Sequence, residues 1–374
     1  MRILAVSHPC VTDVNQQFYT ELEALGHDVQ LIVPENFRHE YAVGAVQVVR
    51  WPTFRGNIVQ RRIGLSSSIP LHFYVGSLRP VMKKFDPDVL YVEEEPYSVS
   101  AWQAFYASRG LGMKRVIYSA QNIDKRYPPP FPWLEQYVLR QADMAAVVSP
   151  EVERVVKLKG FSGRILPFPL GVDTSQFQPS EHQRSSMRAQ HGFGNDFIVG
   201  YVGRLVPEKG IQTLLDIVPT LENLHARLVV VGTGPMLSDV ERVKQLFPRH
   251  LHLQSTVVHR DIHRWMNAMD VLVLPSQTTL TWKEQFGRVI IEALACKVPV
   301  IGSDSGEIPV LLRETQGGWV FPEKNVAKLK QVLYHVLNNE HERSLKARDG
   351  YQSVLKKYSK RALAQSFIEE VAPR

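Results

Sequence analysis

The chain has 374 residues and a formal net charge of +7, with 44% hydrophobic and 22% charged residues. This composition is typical of a globular protein, and the length predicts about two domains rather than one core. It excludes a membrane-spanning protein, since no apolar run approaches the roughly 20 residues that such a helix needs. The interrupted N-terminal run does not resemble a signal peptide, and Cys10 and Cys296 lie far apart, so we expect a reducing cytoplasm and no disulfide framework.

Short apolar runs alternate with helical patterns along the first half. The run at 2–7 (RILAVS) is followed by an amphipathic pattern that stops at Gly26. The later runs are DVQLIV (28–33), DVLYVEE (88–94), RVIYSA (115–120) and DMAAVVS (143–149). They are continuous rather than alternating, which is typical of strands that are buried on both faces of a parallel sheet.

A stretch rich in Pro, Ser and Gln at 166–183 is predicted to be a hinge or linker. After it the strand pattern restarts with FIVGYVG (197–203), ARLVVVG (226–232), HLHLQS (250–255), DVLVLPS (270–276) and VPVIGS (298–303). The sequence therefore predicts two α/β units, each with a doubly wound sheet. We expect these units at 1–175 and 176–355, and a C-terminal helix within 356–374 that packs back on the first unit.

Glycines and charges follow the strands of the second unit, where ligands bind in such sheets. Gly232-x-Gly234 lacks the third glycine or alanine of a dinucleotide fingerprint, because position 237 is leucine. Pro235 suits the start of a helix. Two interpretations remain, a tight strand-to-helix turn or a backbone surface that a phosphate or nucleotide approaches closely.

The loop GRLVPEKG (203–210) carries two cations between two glycines. Arg204 and Lys209 could neutralise a diphosphate, Arg204 by bidentate hydrogen bonds and Lys209 as a point charge. A solvated pair of charges is the alternative. The segment is not a P-loop, because the order of that motif is absent.

Glu284 and Glu292 flank an apolar run in EQFGRVIIEALA (284–295). On one helix this spacing gives a rise of about 12 Å and a rotation of about 80°, which fits poorly to the roughly 5–9.5 Å between glycosidase carboxylates. It suits two contacts on one long ligand, with the helix starting near Phe286–Gly287 and its free N–H groups facing an anion. An amphipathic helix with two solvated glutamates is the alternative.

The patterns GRLVPEKG, VGTGP, EQFGRVIIE (E-x7-E) and LGVDTSQFQP (170–179) together resemble the family-4, or group 1, retaining glycosyltransferases of the GT-B fold. The resemblance is dense across about residues 165–320 and thinner in the first half. It implies an α/β fold of two Rossmann-like, doubly wound domains that face a cleft, with the donor mostly on the second domain. It also implies a role in polysaccharide or glycoconjugate biosynthesis.

The resemblance assigns roles along a nucleotide-sugar donor. Arg204 and Lys209 match residues that contact the diphosphate, Glu284 matches one that contacts the transferred sugar, and Glu292 matches one that binds the ribose. Further donor contacts are expected at Gly203, Gly232, Gly234, Pro235, Phe286, Gly287 and Arg288.

The first half departs from the family in two places. Its first loop, SHPCVTDVNQQ (7–17), lacks the usual glycine pair, and the usual histidine after the strand near residue 118 is missing. We expect Gln121 or Asn122 to take that place, where an amide can bind a sugar hydroxyl but cannot act as a base. The family's leaving diphosphate is generally thought to help deprotonate the acceptor. Glu94, within the run 93–95, is expected to bind acceptor hydroxyls, with a solvated run as the alternative.

No metal or cofactor is expected beyond the sugar nucleotide as co-substrate. The D-x-D at 86–88 precedes a strand and is interpreted as a turn, and His259 with His263 lacks a third zinc ligand. We therefore predict a retaining, metal-independent hexosyltransferase that transfers a sugar to a hydroxyl acceptor, which could be a glycan, a lipid-linked molecule or a small molecule. The alternatives are a sugar-nucleotide epimerase of the same fold and a non-catalytic binder of nucleotide sugars or nucleic acid, although no nucleic-acid partner is expected.

A basic segment without acidic residues lies between Tyr41 and Phe85. Its basic residues are Arg50, Arg55, Arg61, Arg62, Arg79, Lys83 and Lys84. Its interleaved apolar residues are Trp51, Phe54, Ile58, Ile63, Leu65, Phe73 and Tyr74. Basic residues contribute about 1 kcal/mol each at an anionic membrane surface, so we expect peripheral contact with the inner face of a membrane. A helix pair whose cationic ends bind acceptor phosphate or water is the alternative.

Overall fold

The predicted apolar runs form strands of two parallel sheets in the computed structural model, which describes residues 1–38, 45–255 and 257–372. The chain divides into one unit of Met1–Pro169 with Lys360–Arg374 and a second unit of Leu170–Ser359. In the structure the chain passes from one unit to the other at 169/170 and at 359/360. The sequence predicted these boundaries at 175/176 and 355/356. None of the helices in the described part of the chain is long and apolar enough to span a membrane.

The first unit contains most of its strands in one sheet. Its strands are β1 Arg2–Ser7, β2 Asp28–Pro34, β3 Asn36–Phe37, β4 Val46–Gln47, β5 Asn57–Arg61, β6 Ile63–Gly64, β7 Phe73–Tyr74, β8 Val89–Glu93, β9 Lys114–Ser119, β10 Met144–Val147 and β11 Arg164–Pro167. Its helices before the second unit are α1 Gln17–Ala24, α2 Arg79–Phe85, α3 Val99–Ala107, α4 Phe131–Gln141 and α5 Pro150–Leu158.

The seven-stranded sheet of the first unit has the order β11-β10-β9-β8-β1-β2-β5, and all of its pairs are parallel. From β1 the chain builds towards β5 on one side and then returns to β8 on the other. The strand order therefore reverses between β1 and β8, where Ser7 pairs with Glu93. Crevices at such a reversal are the usual ligand sites of doubly wound sheets.

The second unit repeats this architecture with fewer strands. Its strands are β12 Phe197–Val202, β13 Ala226–Val231, β14 Leu251–Gln254, β15 Val271–Leu274, β16 Val300–Ser303 and β17 Gly318–Phe321. Its helices are α6 Glu181–Gln190, α7 Ile211–Leu215, α8 Val218–Leu221, α9 Leu237–Leu246, α10 Ile262–Ala268, α11 Arg288–Ala295, α12 Ile308–Thr315, α13 Val326–Asn338 and α14 Glu340–Lys357. The parallel order β14-β13-β12-β15-β16-β17 reverses between β12 and β15.

The last helix, α15 Lys360–Val371, belongs to the first unit. It packs against α1, and the ring of Phe367 lies 5.6 Å from that of Phe18 between their centroids. Nζ of Lys114 donates to the carbonyl of Val371 at 2.8 Å and so holds the end of the helix.

The stretch expected to be a linker is more structured than its composition suggested. It begins inside β11, and Val172 and Phe177 are buried in the core of the second unit. The boundary at 169/170 falls within the predicted hinge or linker, but the stretch beyond this boundary is not all linker, because these apolar side chains supply core contacts in the second unit.

Candidate functional site

Two loops at the carboxyl end of the second sheet are joined by backbone hydrogen bonds. The N–H of Leu205 donates to Thr233 O at 2.9 Å, and the N–H of Met236 donates to Leu205 O at 2.9 Å. A Cβ atom on Gly232 would lie 1.9 Å from the carbonyl oxygen of Gly203. A Cβ on Gly234 would lie 2.5 Å from that of Leu205. These glycines let the two loops touch, which supports the tight-turn interpretation, and the exposed Pro235 precedes α9.

Lys209 and Glu284 form an ion pair at the reversal point between β12 and β15. Nζ of Lys209 lies 2.6 Å from Oε2 of Glu284, and their side chains are only 17% and 9% exposed. The hydroxyl of Ser276 donates to the same oxygen at 2.8 Å, and Nζ lies 4.9 Å from the centroid of the Trp282 ring. The lysine cation is thus fixed between a carboxylate and an indole.

Arg204 lies in the same neighbourhood as this pair. The buried hydroxyl of Tyr201 donates to Arg204 O at 2.7 Å and fixes the backbone of the loop. Burial raises the pKa of Tyr201, and the charge of Glu284 raises it further against the opposing effect of Arg204. The phenol therefore stays protonated and keeps its hydrogen bond, and the charges of Arg204, Lys209 and Glu284 converge at one loop cluster.

Helix α11 starts where the sequence predicts it. Arg288 is its first residue, and Gly287 is the N-cap with φ of 81°, a left-handed conformation that favours glycine. Glu284 lies in the preceding loop and Glu292 in the helix, and both are buried, at 7% and 6% exposure. The alternative of two solvated glutamates is therefore wrong. The side chain of Phe286 packs into the core, whereas that of Arg288 is exposed.

Several residues that support Glu284 escaped the sequence analysis. The N–H of Glu307 donates to Glu284 O at 3.1 Å, and a Cβ atom on Gly306 would lie 2.1 Å from the same oxygen. Ser276 and Trp282 complete the surroundings of the ion pair. Their signal was weak but present, because all four residues lie in the loops that follow β15 and β16.

The first unit has its own polar cluster at the reversal point between β1 and β8. Both oxygens of the Glu94 carboxylate face His8: its backbone N–H donates to Oε1 at 2.8 Å and its Nδ1 lies 2.6 Å from Oε2. Nε2 of His72 lies 3.6 Å from Oε1. The side chain of Glu94 is fully buried, so the alternative of a solvated acidic run is wrong for this residue.

Burial and the two histidines shift the pKa of Glu94 in opposite directions. Burial alone would raise the pKa of the carboxyl, but the histidines lower it to about 2. Burial lowers the pKa of His72, whereas Glu94 and the carbonyl of Ile69 outweigh this effect and raise it. The cluster therefore holds an ionised carboxylate in the interior of the first unit.

Neighbouring polar residues follow β8 and β9. Oε2 of Glu95 accepts from the hydroxyl of Ser119 at 2.9 Å, and Oε1 accepts from the N–H of Ala120 at 2.8 Å. Burial raises the pKa of Glu95 to about 7 despite these two donors. Asn122 is buried just beyond β9, at 5% exposure. Both residues belong to the first unit, whereas Arg204 belongs to the second.

A metal would find its ligands at His8, His72 and Glu94, the described residues whose ligand atoms converge within 4.8 Å. The 2.6 Å between Nδ1 and Oε2 is a hydrogen-bond distance, whereas two ligands of a tetrahedral zinc ion lie roughly 3.4 Å apart. The group therefore fits a hydrogen-bonded ion cluster better than a zinc site.

The two weak metal motifs have local structural roles. In the D-x-D, Oδ2 of Asp88 accepts from the N–H of Arg2 at 2.7 Å, and Asp86 ends α2 in a left-handed conformation. The D-x-D is the short connection from α2 to β8, with a bend at Asp88. The ring of His263 packs 6.1 Å from Phe177, and the side chain of His259 lies outside the described residues.

Two family models match successive parts of the chain. The model "Glycosyltransferase Family 4" matches residues 11–176, and "Glycosyl transferases group 1" matches residues 183–353. The Bacillus subtilis protein TuaC, named as a teichuronic acid biosynthesis glycosyltransferase, is 27% identical over 89% of this chain and 87% of its own. A GDP-mannose-dependent alpha-mannosyltransferase of Corynebacterium glutamicum is 25% identical over 89% of this chain and 79% of its own.

Solved structures share the fold at low sequence identity. A glycosyltransferase from Rickettsia africae superposes with a TM-score of 0.74 at 16% identity, covering 99% of this chain and 97% of that one. HepE of Anabaena, solved with UDP, superposes with a TM-score of 0.73 at 15% identity, covering 99% of both chains. Together with the two doubly wound sheets and the family matches, these comparisons show that the chain belongs to the group 1 glycosyltransferases of the GT-B fold.

Proposed function

We propose that this chain is a retaining glycosyltransferase that takes a sugar from a nucleoside-diphosphate donor bound to the second unit and transfers it to a hydroxyl acceptor. The observation that supports this most strongly is the buried Lys209–Glu284 pair at the reversal point of the second sheet. A buried charge is costly unless it is paired, and here the pair lies beside Arg204 and the start of α11, where an anionic ligand is favoured.

Each predicted residue has a role along the donor. Arg204, Lys209 and the N–H groups at the start of α11 stabilise the charge that develops on the leaving diphosphate. Glu284 contacts the transferred sugar from the loop, and Glu292 binds the ribose hydroxyls from within the helix. Such preorganised electrostatic catalysis requires no metal ion, so transfer is expected to proceed in EDTA.

A cavity after β14 is the candidate site for the nucleobase. It has a volume of about 270 Å³ and includes Gln254, Val257 and Trp265 in its lining. It borders the loop at 255–258, of which residue 256 lies outside the described residues. Burial lowers the pKa of the nearby His252 to about 4, so its ring is neutral at physiological pH. The lining of the cavity combines apolar residues with the charged Asp261 and Arg264, whose side chains could bind the polar edge of a base.

Thermal shift with UDP, GDP, ADP and TDP, and with their sugars, tests the donor assignment. GDP-mannose is the first donor to examine, because curated relatives are named for it. A labelled donor then distinguishes transfer from epimerisation, and NMR of the product gives the anomeric configuration. Failure of every donor to raise the melting temperature would contradict the proposal, and salt-dependent DNA binding without turnover would favour a non-catalytic binder.

The first unit is proposed to receive the acceptor, with Asn122 among its contacts, and to touch an anionic membrane from the cytoplasmic side. The basic segment does not form a helix pair: it contains β4–β7 and α2, and its residues 41–44 lie outside the described residues. Three of its seven cations already bind backbone carbonyls, namely Arg50, Arg61 and Arg79. Phe54 and Tyr74 are buried, so neither can face a lipid.

Other residues of this segment strengthen the membrane proposal. Between the exposed Arg62 and the exposed Lys83 and Lys84, several large apolar side chains face the solvent. These are Leu65, Ile69, Leu71, Phe73 and Val75, with exposures of 39–58%. Apolar side chains flanked by cations are typical of peripheral membrane contact, in which burial of apolar surface and electrostatic attraction to anionic lipids both contribute.

Sedimentation with anionic and neutral liposomes, at low and high salt, tests this contact. We expect salt-reversible binding to the anionic liposomes only. Reversing Lys83 and Lys84 to glutamate should weaken it, whereas the same change at Lys356 and Lys357, a matched pair in the last turn of α14, should not. Equal recovery in the supernatant under all four conditions would leave a soluble acceptor as the better answer.

A further inference from the structure

The loop between β15 and α11 contains a closed turn next to the buried ion pair of the second unit. The N–H groups of Thr281 and Trp282 donate to the hydroxyl oxygen of Thr279, at 3.3 and 3.0 Å. The N–H of Thr279 donates in return to Trp282 O at 2.8 Å. Leu280, at the tip of the turn, is fully exposed. These hydrogen bonds fix the backbone that carries the indole of Trp282.

Hydrogen bonds on both sides of this turn hold it to other loops of the second unit. On one side the N–H of Gln277 donates to Glu208 O at 2.8 Å. On the other side Glu284 O accepts from the N–H of Glu307 at 3.1 Å. The turn therefore keeps a fixed position relative to Glu284 through contacts within the second unit alone.

The indole of Trp282 lies beside the charges proposed to hold the donor. Nζ of Lys209 is 4.9 Å from the centroid of the ring and 2.6 Å from Oε2 of Glu284. At such a distance an ammonium group is attracted to the face of an indole. The ring and the carboxylate therefore flank one cation, at the point where the diphosphate and the sugar of the donor would meet.

Trp282 lies outside the two described core clusters of the second unit. This unit has two other tryptophans, of which Trp265 belongs to one core cluster and Trp319 packs against the other. Trp282 is half-buried, so part of its ring faces the solvent. A large aromatic side chain outside the core and at the edge of a ligand site is available for contact with the ligand.

An aromatic face and a carboxylate recognise different parts of a sugar. A hexose ring presents C–H groups on its faces and hydroxyls around its rim. The indole offers a large apolar surface to the C–H groups, and the carboxylate of Glu284 accepts hydrogen bonds from hydroxyls. Inversion at one carbon turns a hydroxyl towards or away from the indole. Because a hydroxyl buried against the ring has no partner, such a wall discriminates between epimers.

We propose that Trp282 forms one wall of the subsite for the transferred sugar and determines which hexoses are accepted. This rests on the proposed transfer function, in which Lys209 contacts the diphosphate and Glu284 contacts the sugar. The indole packs against one C–H face of the hexose, and a donor whose hydroxyl points at this face is rejected. Trp282 takes no part in making or breaking bonds, so its effect is on the selection of the donor.

Trp282→Ala removes the aromatic face, whereas Trp282→Phe retains a smaller one. Calorimetry compares the complete donor identified by thermal shift with its bare nucleoside diphosphate. In Trp282→Ala the affinity for the complete donor should fall by about tenfold more than the affinity for the bare diphosphate, as for the loss of one aromatic contact. Trp282→Phe should keep most of the affinity for the complete donor. Melting curves confirm that each variant is folded at the assay temperature.

The preference between epimeric donors is a measurement that a merely structural role would not change. GDP-mannose and GDP-glucose, or UDP-glucose and UDP-galactose, differ at a single carbon, and kcat/KM for transfer to water is measured for both members of a pair. The ratio of the two values should move towards unity by about tenfold in Trp282→Ala. It should stay near that of the wild type in Trp282→Phe.

Trp319→Phe is the matched control, because Nζ of Lys346 also lies over the Trp319 ring, 5.4 Å from its centroid. Trp319 packs against a core cluster instead of the ion pair. The donor affinity and the epimer preference of this variant should be those of the wild type. The change in tryptophan fluorescence on donor binding should persist in Trp319→Phe and be largely lost in Trp282→Phe.

Two results would overturn this assignment. The first is an equal loss of affinity for the donor and for the bare diphosphate in Trp282→Ala, which would mean that the indole acts only on Lys209. The second is an epimer preference in Trp282→Ala within about twofold of the wild type. A wild type that binds no nucleoside diphosphate would contradict the proposed function itself, and the sugar subsite would then be wrong as well.

Discussion

Lys209→Ala should damage both the stability of the second unit and its activity. The change leaves the Glu284 carboxylate, only 9% exposed, without the cation that lies 2.6 Å away. Removal of one partner of a buried ion pair typically costs about 3–5 kcal/mol. Because the Lys209 side chain keeps 17% exposure, we expect the lower end, about 3 kcal/mol. At about 2–4 °C per kcal/mol for a unit of this size, the melting temperature should fall by roughly 6–12 °C.

Turnover should fall by roughly 10²–10³-fold, as for the loss of one preorganised contact to developing charge. Differential scanning calorimetry gives the stability, and initial rates at a temperature well below the variant's transition give the activity. The matched control is Lys346→Ala, since Nζ of Lys346 also lies over a tryptophan ring, 5.4 Å from the centroid of Trp319, in the same unit. It should retain full turnover.

Combining Glu284→Gln with Lys209→Ala measures the interaction between the two side chains. The double variant carries no unpaired charge, so it should regain most of the stability while its turnover remains low. A coupling free energy below about 0.5 kcal/mol between the two positions would refute the reasoning. So would an unchanged melting temperature for Lys209→Ala alone.

Three further predictions concern individual side chains. Arg204→Ala should lower turnover by roughly 10²–10³-fold, and near-wild-type rates would remove Arg204 from the diphosphate site. Glu292→Ala should weaken binding of the bare nucleoside diphosphate in calorimetry, whereas Glu284→Ala should spare this binding and damage use of the complete donor. Equal losses of affinity for the bare nucleotide in both variants would contradict the proposal that Glu284 contacts the sugar and Glu292 the ribose. Burial raises the pKa of Glu95 to about 7, above its unfolded value of about 4.3, so the native state holds the extra proton between these values. Stability should therefore decline as pH rises through this window, and melting curves of Glu95→Gln at pH 5–8 should lack that decline.

The sequence predicted the central strands of both sheets but missed β5, β11 and β17. All three lie at the edge of a sheet. Their burial is broken: β5 contains no fully buried residue, and β11 and β17 contain one each. A strand with one open side does not need a continuous apolar run, so the pattern that identifies buried parallel strands is weaker at an edge. It still detected β14, the fourth edge strand, which also has one buried residue.

Most residues of the proposed donor site could be found from sequence because they lie in loops that directly follow predicted strands, and Glu292 lies in the helix after one of these loops. Their partners could not. His8 and Glu94 are 86 residues apart in the chain and meet only because β1 and β8 are neighbours in the sheet. Likewise, Ser276 reaches Glu284 through a loop conformation that no local pattern encodes. Strand order and loop geometry are tertiary properties, and they decide which of the predicted polar residues share a site.

An apolar replacement of the Lys209–Glu284 pair would show whether it is retained for function or for stability. Well-packed apolar residues of similar volume often stabilise a protein by about 1–4 kcal/mol relative to a buried ion pair, because two charges no longer lose their hydration. We therefore expect Lys209→Met with Glu284→Leu to be at least as stable as wild type. Ser276→Ala is included because its hydroxyl donates to Glu284 and would otherwise be orphaned. The triple variant should bind no donor. A triple variant less stable than wild type would mean that the ion pair itself stabilises the loops, and the case for a donor site would then depend on Arg204 and the start of α11.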